Sequence, residues 1–267
     1  MDNYKVNASV ITHKGKVRKN NEDNFYFFHH ILEDTLKEVH LKENAETKIP
    51  LVFGVFDGMG GHEHGEKASY ILANMTKDKQ FDENELEGQL LEICDKANEE
   101  VCELMRECRV RIGSTASFIA LHNNNAITCN IGDTPIYLYR DHTLIDMYEE
   151  HTEKRMYERL YGSVDPKKKY RLTQNIGVFK EEMLIKPYTE SFEIQKGDMI
   201  LLCSDGLTDM VSKEDICSIL DNHKENRELL LRDKALENGG RDNITIIIIE
   251  VDNIKKKGIF NFFRSGE

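Results

Sequence analysis

No C-x-x-C pair occurs among the six cysteines, Cys94, Cys102, Cys108, Cys129, Cys203 and Cys217, which excludes a zinc ribbon and a thioredoxin-like redox motif. Several of them lie within apolar stretches, where free cysteine behaves as a small hydrophobe; a reduced, cytoplasmic setting is the expectation. Long hydrophobic runs are missing as well. The longest, 244–249, falls far short of the ~18 residues a spanning helix needs, and residues 1–16 lack the apolar centre of a secretory leader. There is no excess of positive charge: 48 acidic against 36 basic side chains give −12, which disfavours nucleic acid and anionic membrane surfaces as partners. No repeat or linker interrupts the 267 residues, a length that one domain can hold.

What is present alternates between strand and helix signals. Residues 6–11 and 25–28 read as early strands, and 51–56 is an apolar run of the kind a buried strand shows. The polar stretch 32–48 between them reads as a hairpin or a loop. Helical spacing covers 66–75 and 85–105, after which strand patterns at 117–121, 126–131, 135–139 and 144–147 suggest an antiparallel meander. A charged helix at 151–160 leads into a segment, 161–171, with Gly162, Pro166 and three lysines that reads as a mobile surface loop. Strands follow at 183–194 and 199–203, helices at 213–220 and 225–237, and a last strand at 244–251. Layer logic turns this order into an α+β fold, a four-layer α-β-β-α sandwich in which two mostly antiparallel sheets are flanked by helix pairs.

Four acidic fragments stand out: Asn21-Glu22-Asp23, Asp57-Gly58-Met59-Gly60-Gly61-His62, Ser204-Asp205-Gly206 and Gly240-Arg241-Asp242-Asn243. Three place an aspartate at the end or the start of a predicted strand, so folding can gather their carboxylates. Clustered carboxylates need cations, and oxygen-only ligation suits Mg²⁺ or Mn²⁺. The pattern is that of a binuclear metal hydrolase.

These fragments, with Arg18-Lys19-Asn20 before the first, Gly113-Ser114-Thr115-Ala116, Ile131-Gly132-Asp133, Leu201-Leu202-Cys203 and Gly239, resemble the metal-dependent serine/threonine protein phosphatases, the PPM or type 2C family, in its compact bacterial form. The motifs run in family order from residue 15 to about 250. The resemblance implies one catalytic domain over residues 1–253, a tail over 254–267, and a monomer acting on phosphorylated proteins in opposition to a serine/threonine kinase. It implies that Asp57 bridges two Mn²⁺ or Mg²⁺ ions, with the Gly58 carbonyl on one and Asp205 and Asp242 on the other. Glu22 and Asp23 would hold metal-bound waters. Arg18 would clamp phosphate, which its planar fork of donors suits. Asp133 would hold a third metal; an aspartate in a tight turn after Gly132 is the competing reading. The implied reaction is in-line attack by a metal-activated water on phosphoserine or phosphothreonine.

The chain departs from the family at Met59, where animal relatives carry a histidine proposed as general acid. His62 or water takes that role, or the role is not needed. Thr134 and Pro135 replace the family's usual serine and arginine. The segment 161–171 corresponds to the family's flap, whose lysines would steer substrates or simply be solvated. The tail combines Lys255, Lys256 and Lys257 with Phe260, Phe262 and Phe263, a mixture suited to an interface or to a frayed end. Two other readings compete: a silent regulatory module, against which the retained carboxylates speak, and a hydrolase of small phosphate esters. A cysteine phosphatase is disfavoured, because Cys203 reads as a strand residue.

Overall fold

The computed structural model describes residues 4–60, 64–165, 168 and 170–254. In chain order the elements are β1 (Tyr4–His13), β2 (Asn24–Phe27), β3 (Val39–Thr47), β4 (Leu51–Phe56), β5 (Gly58–Gly60), α1 (Gly65–Asp78), α2 (Leu86–Cys108), β6 (Ile112–Ser114), β7 (Ala116–His122), β8 (Asn125–Ile131), β9 (Ile136–Arg140), β10 (Thr143–Asp146), α3 (Glu153–Tyr161), β11 (Tyr188–Glu193), β12 (Met199–Cys203), α4 (Asp205–Thr208), α5 (Lys213–Asn222), α6 (Arg227–Glu237) and β13 (Ile244–Ile254). A six-stranded sheet runs β10-β9-β12-β13-β1-β3 and a five-stranded sheet β11-β8-β7-β4-β2, with β5 and β6 paired beside them. Their pairings are antiparallel.

Period-two burial explains how the layers hold. In β13, Ile247, Ile249 and Val251 enter the core between the two sheets, while Ile244, Ile246 and Ile248 lie under α4, α5 and α6 on the other face. A strand buried on both faces therefore reads as a continuous apolar run, and each such side chain contributes about 1.5–3 kcal/mol by burial. On the opposite side α2 lays Leu90, Cys94, Ala97 and Val101 over the five-stranded sheet, beside Ala68 and Leu72 of α1. Three apolar interiors thus separate four layers, as the sequence suggests. Thr152 and Ser212 cap α3 and α5 by accepting from the backbone N–H of Arg155 and Asp215, each at 3.1 Å.

Three local expectations are corrected. The strands of 117–147 do not form one meander: β7 and β8 pair in the five-stranded sheet, β9 and β10 in the other, and the chain crosses between sheets at 132–135. Gly132, at φ +106°, makes that turn. The stretch 32–48 contains a true strand, β3, whose polar residues alternate with its partly buried ones at the sheet edge. The strand expected from 183 begins only at Tyr188, after Pro187.

Candidate active site

β4, β12 and β8 end, and β13, β2 and β7 begin, at one edge shared by both sheets. Asp57 follows β4, Asp205 follows β12 across Ser204, Asp133 follows β8, Asp242 precedes β13, and Asp23 precedes β2. Neutral donors fix the backbone around them. The Asp57 N–H donates to Thr115 Oγ1 (3.0 Å), and the Asp57 carbonyl accepts from the Thr115 N–H (2.9 Å) and from Ser114 Oγ (3.0 Å). Next along the chain, the Gly58 N–H donates to the Glu22 carbonyl at 3.1 Å, which also accepts from Ser69 Oγ at 2.6 Å. A Cβ on Gly58 would lie 2.3 Å from that carbonyl and 2.4 Å from the carbonyl of Gly65, so no other residue fits. Gly206 is tighter still: a Cβ there would meet the Asn243 carbonyl oxygen at 1.9 Å.

Asn243 ties the loop 14–22 to the start of β13. Its Oδ1 accepts from the Glu22 N–H (2.8 Å), and its Nδ2 donates to the carbonyls of Lys14 (2.9 Å) and Asn20 (3.0 Å). Asp23 is buried, and its Oδ2 accepts from Ser204 Oγ and Thr245 Oγ1, both at 2.7 Å. Thr245 in turn contacts Thr12 Oγ1 (2.7 Å), which receives Asn21 Nδ2 (2.7 Å). Donor counting orients this chain. The amide of Asn21 can only donate, so Thr12 accepts from it and donates to Thr245, whose proton goes to Asp23.

The predicted carboxylates share one electrostatic field. Burial, then the like charges of Asp205, Asp23, Asp133 and Asp242, pushes the Asp57 carboxyl well above the usual range. Asp205 is raised the same way, by burial and then by Asp133, Asp209, Asp242 and Asp23. Burial lifts Asp23 to about 7 against the pull of Ser204 and Thr245, and lifts Asp133 to about 6. Asp57, Asp133 and Asp205 are half-buried, with partial solvent contact. Asp133 therefore belongs to the cluster. Glu22 is raised by burial, with Arg18 pulling it down.

Arg18 supplies the cation facing this cleft: its Nη2 donates to Asp242 Oδ2 at 2.6 Å, and its Nη1 lies 3.8 Å from Glu22 Oε2. The residue expected to clamp phosphate thus rests on an expected metal ligand. Among the described residues no three His, Cys, Asp or Glu side chains converge as a ready-made metal-binding group; the coupling acts through charge across the width of the cleft. In their chemistry the donors fit hard divalent cations. The coupled groups are carboxylates, and a single guanidinium cannot neutralise them.

Some participants carried no assigned role in the sequence. Asp209 lies one helical turn after Asp205, and its N–H donates to the Asp205 carbonyl at 2.8 Å; i, i+4 spacing could have found it. Thr12 and Thr245 act from within strands and Thr115 from the single residue between β6 and β7, where a threonine reads as ordinary β-former. Met59 pairs with Gly113 in the small β5–β6 ribbon, and His62 lies outside the described residues. Of the expected flap lysines, Lys168 packs its Nζ over the rings of Tyr157 (4.7 Å) and Tyr170 (5.2 Å); Pro166, Lys167, Lys169 and the tail from 255 are outside the described residues.

Carboxylates gathered at the meeting edge of two stacked antiparallel sheets are the oxygen donors that a metal-dependent hydrolase uses. The chain belongs to the Protein phosphatase 2C family, whose sequence profile matches residues 12–244. It is a metal-dependent serine/threonine protein phosphatase, and its substrates are phosphoproteins. It is 30% identical to the protein phosphatase PhpP of Streptococcus pneumoniae over 92% of this chain and 98% of that one. Identity to the serine/threonine phosphatase stp of Listeria monocytogenes is 28%, over 94% of this chain and 98% of the relative. The fold matches the serine/threonine phosphatase PstP/Ppp of Mycobacterium tuberculosis with a TM-score of 0.76 at 24% identity, covering 93% of this chain and all of that one. No described helix is long and apolar enough to cross a membrane.

Proposed function

We propose that this enzyme hydrolyses phosphoserine and phosphothreonine in proteins using two Mn²⁺ or Mg²⁺ ions held by Asp57, the Gly58 carbonyl, Asp205 and Asp242. Asp133 would hold a third ion, and Glu22 and Asp23 would orient waters around them. The observation that carries the reading is the gathering of Asp57, Asp205, Asp242, Asp23 and Asp133 at one sheet edge, where the charges of the others push Asp57 and Asp205 upward. A solved structure of the catalytic domain of the phosphatase PstP, 26% identical with a TM-score of 0.70, contains two manganese ions, which supports the number. When bound, such ions supply Lewis acidity for water and neutralise phosphate charge.

The chain's own groups would do the rest. Thr115 and Ser114 hold the backbone of Asp57, and the close approach at Gly58 keeps its N–H on the Glu22 carbonyl. Asp23, anchored by Ser204 and Thr245, is a fixed acceptor for a water proton. Arg18 would exchange Asp242 for two phosphate oxygens of the substrate. The further reading is a single catalytic domain over 1–253, monomeric and cytoplasmic, opposing a bacterial serine/threonine kinase. The bacterial relatives and the free state of all six cysteines support it.

The test is hydrolysis of a phosphothreonine peptide by metal-stripped protein with Mn²⁺ or Mg²⁺ restored, beside Asp205→Ala and Asp57→Asn controls. Metal-dependent turnover should vanish in both variants. Asp133→Ala should lower activity while calorimetry still finds the two main ions, and Arg18→Lys should raise KM for the peptide more than it weakens metal binding. Normal turnover by folded Asp57→Asn would sink the binuclear assignment. Turnover of small esters but not of phosphopeptides would favour a small-molecule hydrolase.

A further inference from the structure

Beside the carboxylate cleft lies a groove of about 540 Å³ between α1, α2 and the loop after β2, a volume that takes several side chains. Its floor is apolar, with Leu32 buried and Ile71 and Leu104 half-buried, and Tyr70 stands 43% exposed at its wall. Five glutamates and one lysine, Lys67, line it. Glu33 is paired with Lys77 and Glu66 contacts His64, but Glu100, Glu103 and Glu107 have no ion pair or hydrogen bond among the described residues. They repeat at helical spacing along α2, so their charges face the groove as one row.

The groove is continuous with the catalytic edge. Glu66, which lines it, accepts from Asn20 Nδ2 at 3.4 Å, and Thr35, which also lines it, accepts through its carbonyl from the Asn21 N–H at 3.0 Å. Arg18 is two residues from Asn20. The groove therefore adjoins the segment that carries Arg18, within reach of residues flanking a phosphate held there.

We propose that this groove docks a basic, apolar-anchored segment of the phosphoprotein substrate, flanking the phosphorylated residue; the inference rests on the phosphatase reading. Charge complementarity selects the occupant. Unpaired glutamates over an apolar floor favour lysine or arginine on either side of an aromatic or aliphatic anchor, and repel acidic flanks. From Glu100 to Glu107 the helix rises about 10 Å, which three or four extended residues cover at about 3.3 Å each. The preference therefore falls on a short stretch within several residues of the phosphate.

The experiment compares phosphothreonine peptides carrying a Lys-Phe-Arg-Lys stretch, on the N-terminal or the C-terminal side, with neutral Ser-Phe-Gln-Ser versions. Wild type should turn over one basic peptide with a KM about tenfold lower, an advantage that 0.5 M salt erases. Glu100→Lys/Glu103→Lys/Glu107→Lys should remove the advantage and leave hydrolysis of p-nitrophenyl phosphate unchanged. These positions are exposed, and lysines near the C-terminal end of α2 suit its dipole, so the variant folds. Fluorescence anisotropy of the unphosphorylated basic peptide reads the groove without catalysis. Failure of p-nitrophenyl phosphate hydrolysis would strike the catalytic reading, while the anisotropy arm still decides the groove. Equal binding of basic and neutral peptides by wild type, or undiminished preference in the triple variant, would overturn the proposal. So would a rise in basic-peptide affinity on removing residues 255–267, which would give the groove to the chain's own lysine-rich segment.

Discussion

Replacing Thr245 by valine keeps the shape of a fully buried side chain and removes a single hydroxyl. That hydroxyl donates to Asp23 Oδ2 and accepts from Thr12, each at 2.7 Å. Losing a hydrogen bond to a carboxylate costs about 1.5–3 kcal/mol, and the donor stranded on Thr12 costs about 1–3 kcal/mol more, part of it relieved by relaxation. A net loss of about 3–4 kcal/mol follows. With an unfolding entropy of about 2.1 cal/mol/K per residue, this lowers the melting temperature by about 6 °C. Thr12→Val also strands a donor, the buried Asn21 amide, and should cost about 2–3 kcal/mol and roughly 4 °C, less than Thr245→Val because it breaks bonds between neutral partners and leaves the Thr245–Asp23 bond intact. The assay is thermal unfolding followed by circular dichroism at pH 8 and fixed metal concentration, since bound ions shift the midpoint. At that pH Asp23, at about 7, is ionised. A double-mutant cycle with Asp23→Asn should show coupling of about 1–2 kcal/mol between Thr245 and Asp23. Equal losses for the two threonines, or no coupling, would refute the directed chain.

Glu228 joins α6 to the sheet edge, accepting from His40 (2.8 Å) and Ser9 (3.2 Å) and pairing with Lys42 (2.9 Å). Burial alone would raise its carboxyl, but Lys42, its own backbone N–H and His40 hold it below the ordinary value. A depressed folded value stabilises above the unfolded one, near 4.5, and that contribution disappears as pH falls through the folded value. Glu228→Gln should therefore cost about 1–2 kcal/mol at pH 7 and approach wild-type stability in parallel melts as the pH falls through the depressed folded value. Asp198, buried, receives Arg140 Nε at 2.8 Å and Nη2 at 2.6 Å. Asp198→Ala should lose about 1.5–3 kcal/mol in denaturant titrations, because the guanidinium keeps only its bond to the Glu193 carbonyl, whereas Arg140→Lys, which keeps a charge opposite Asp198, should lose less. Gly206→Ala forces a Cβ onto the Asn243 carbonyl and should reduce phosphopeptide turnover at least tenfold, an effect of order 1.4 kcal/mol on the barrier.

Strand ends were the most legible part of this molecule. The apolar runs ending at Phe56 and Cys203 and the one beginning at Ile244 predict β4, β12 and β13 closely, because strands buried on both faces leave no polar residue to blur their bounds. The aspartates beside them were legible for the same reason. β3 was not, because an edge strand needs few apolar residues: its backbone bonds to β1 and its side chains reach α6 and solvent. The crossing at 132–135 was hidden too, since strand patterns give pairing partners no address and one hairpin spacing resembles another. Asn243 was visible only as a letter in a motif. Its three hydrogen bonds reach residues more than two hundred positions away, a distance that no local pattern encodes.

The bonds that hold the main chain around Asp57 and Glu22 depend on neutral donors rather than on the ionisation of the acids. Thr115, Ser114, Ser69 and Asn243 fix the main chain around Asp57 and Glu22, and Gly58 and Gly206 allow the close approaches. The carboxylates, by contrast, oppose one another, and their gathering is a cost the fold bears for function. Removing one charge should therefore relieve the metal-free protein instead of unfolding it. Asp57→Asn is the sharpest case, because Asp205, Asp23, Asp133 and Asp242 all act on Asp57. In the presence of chelator at pH 8 it should melt above wild type, and added Mn²⁺ should reverse that order by stabilising wild type far more than the variant. A variant that melts below wild type under chelation would show that Asp57 contributes a bond the scaffold needs, and that the site's charge is not separable from its frame.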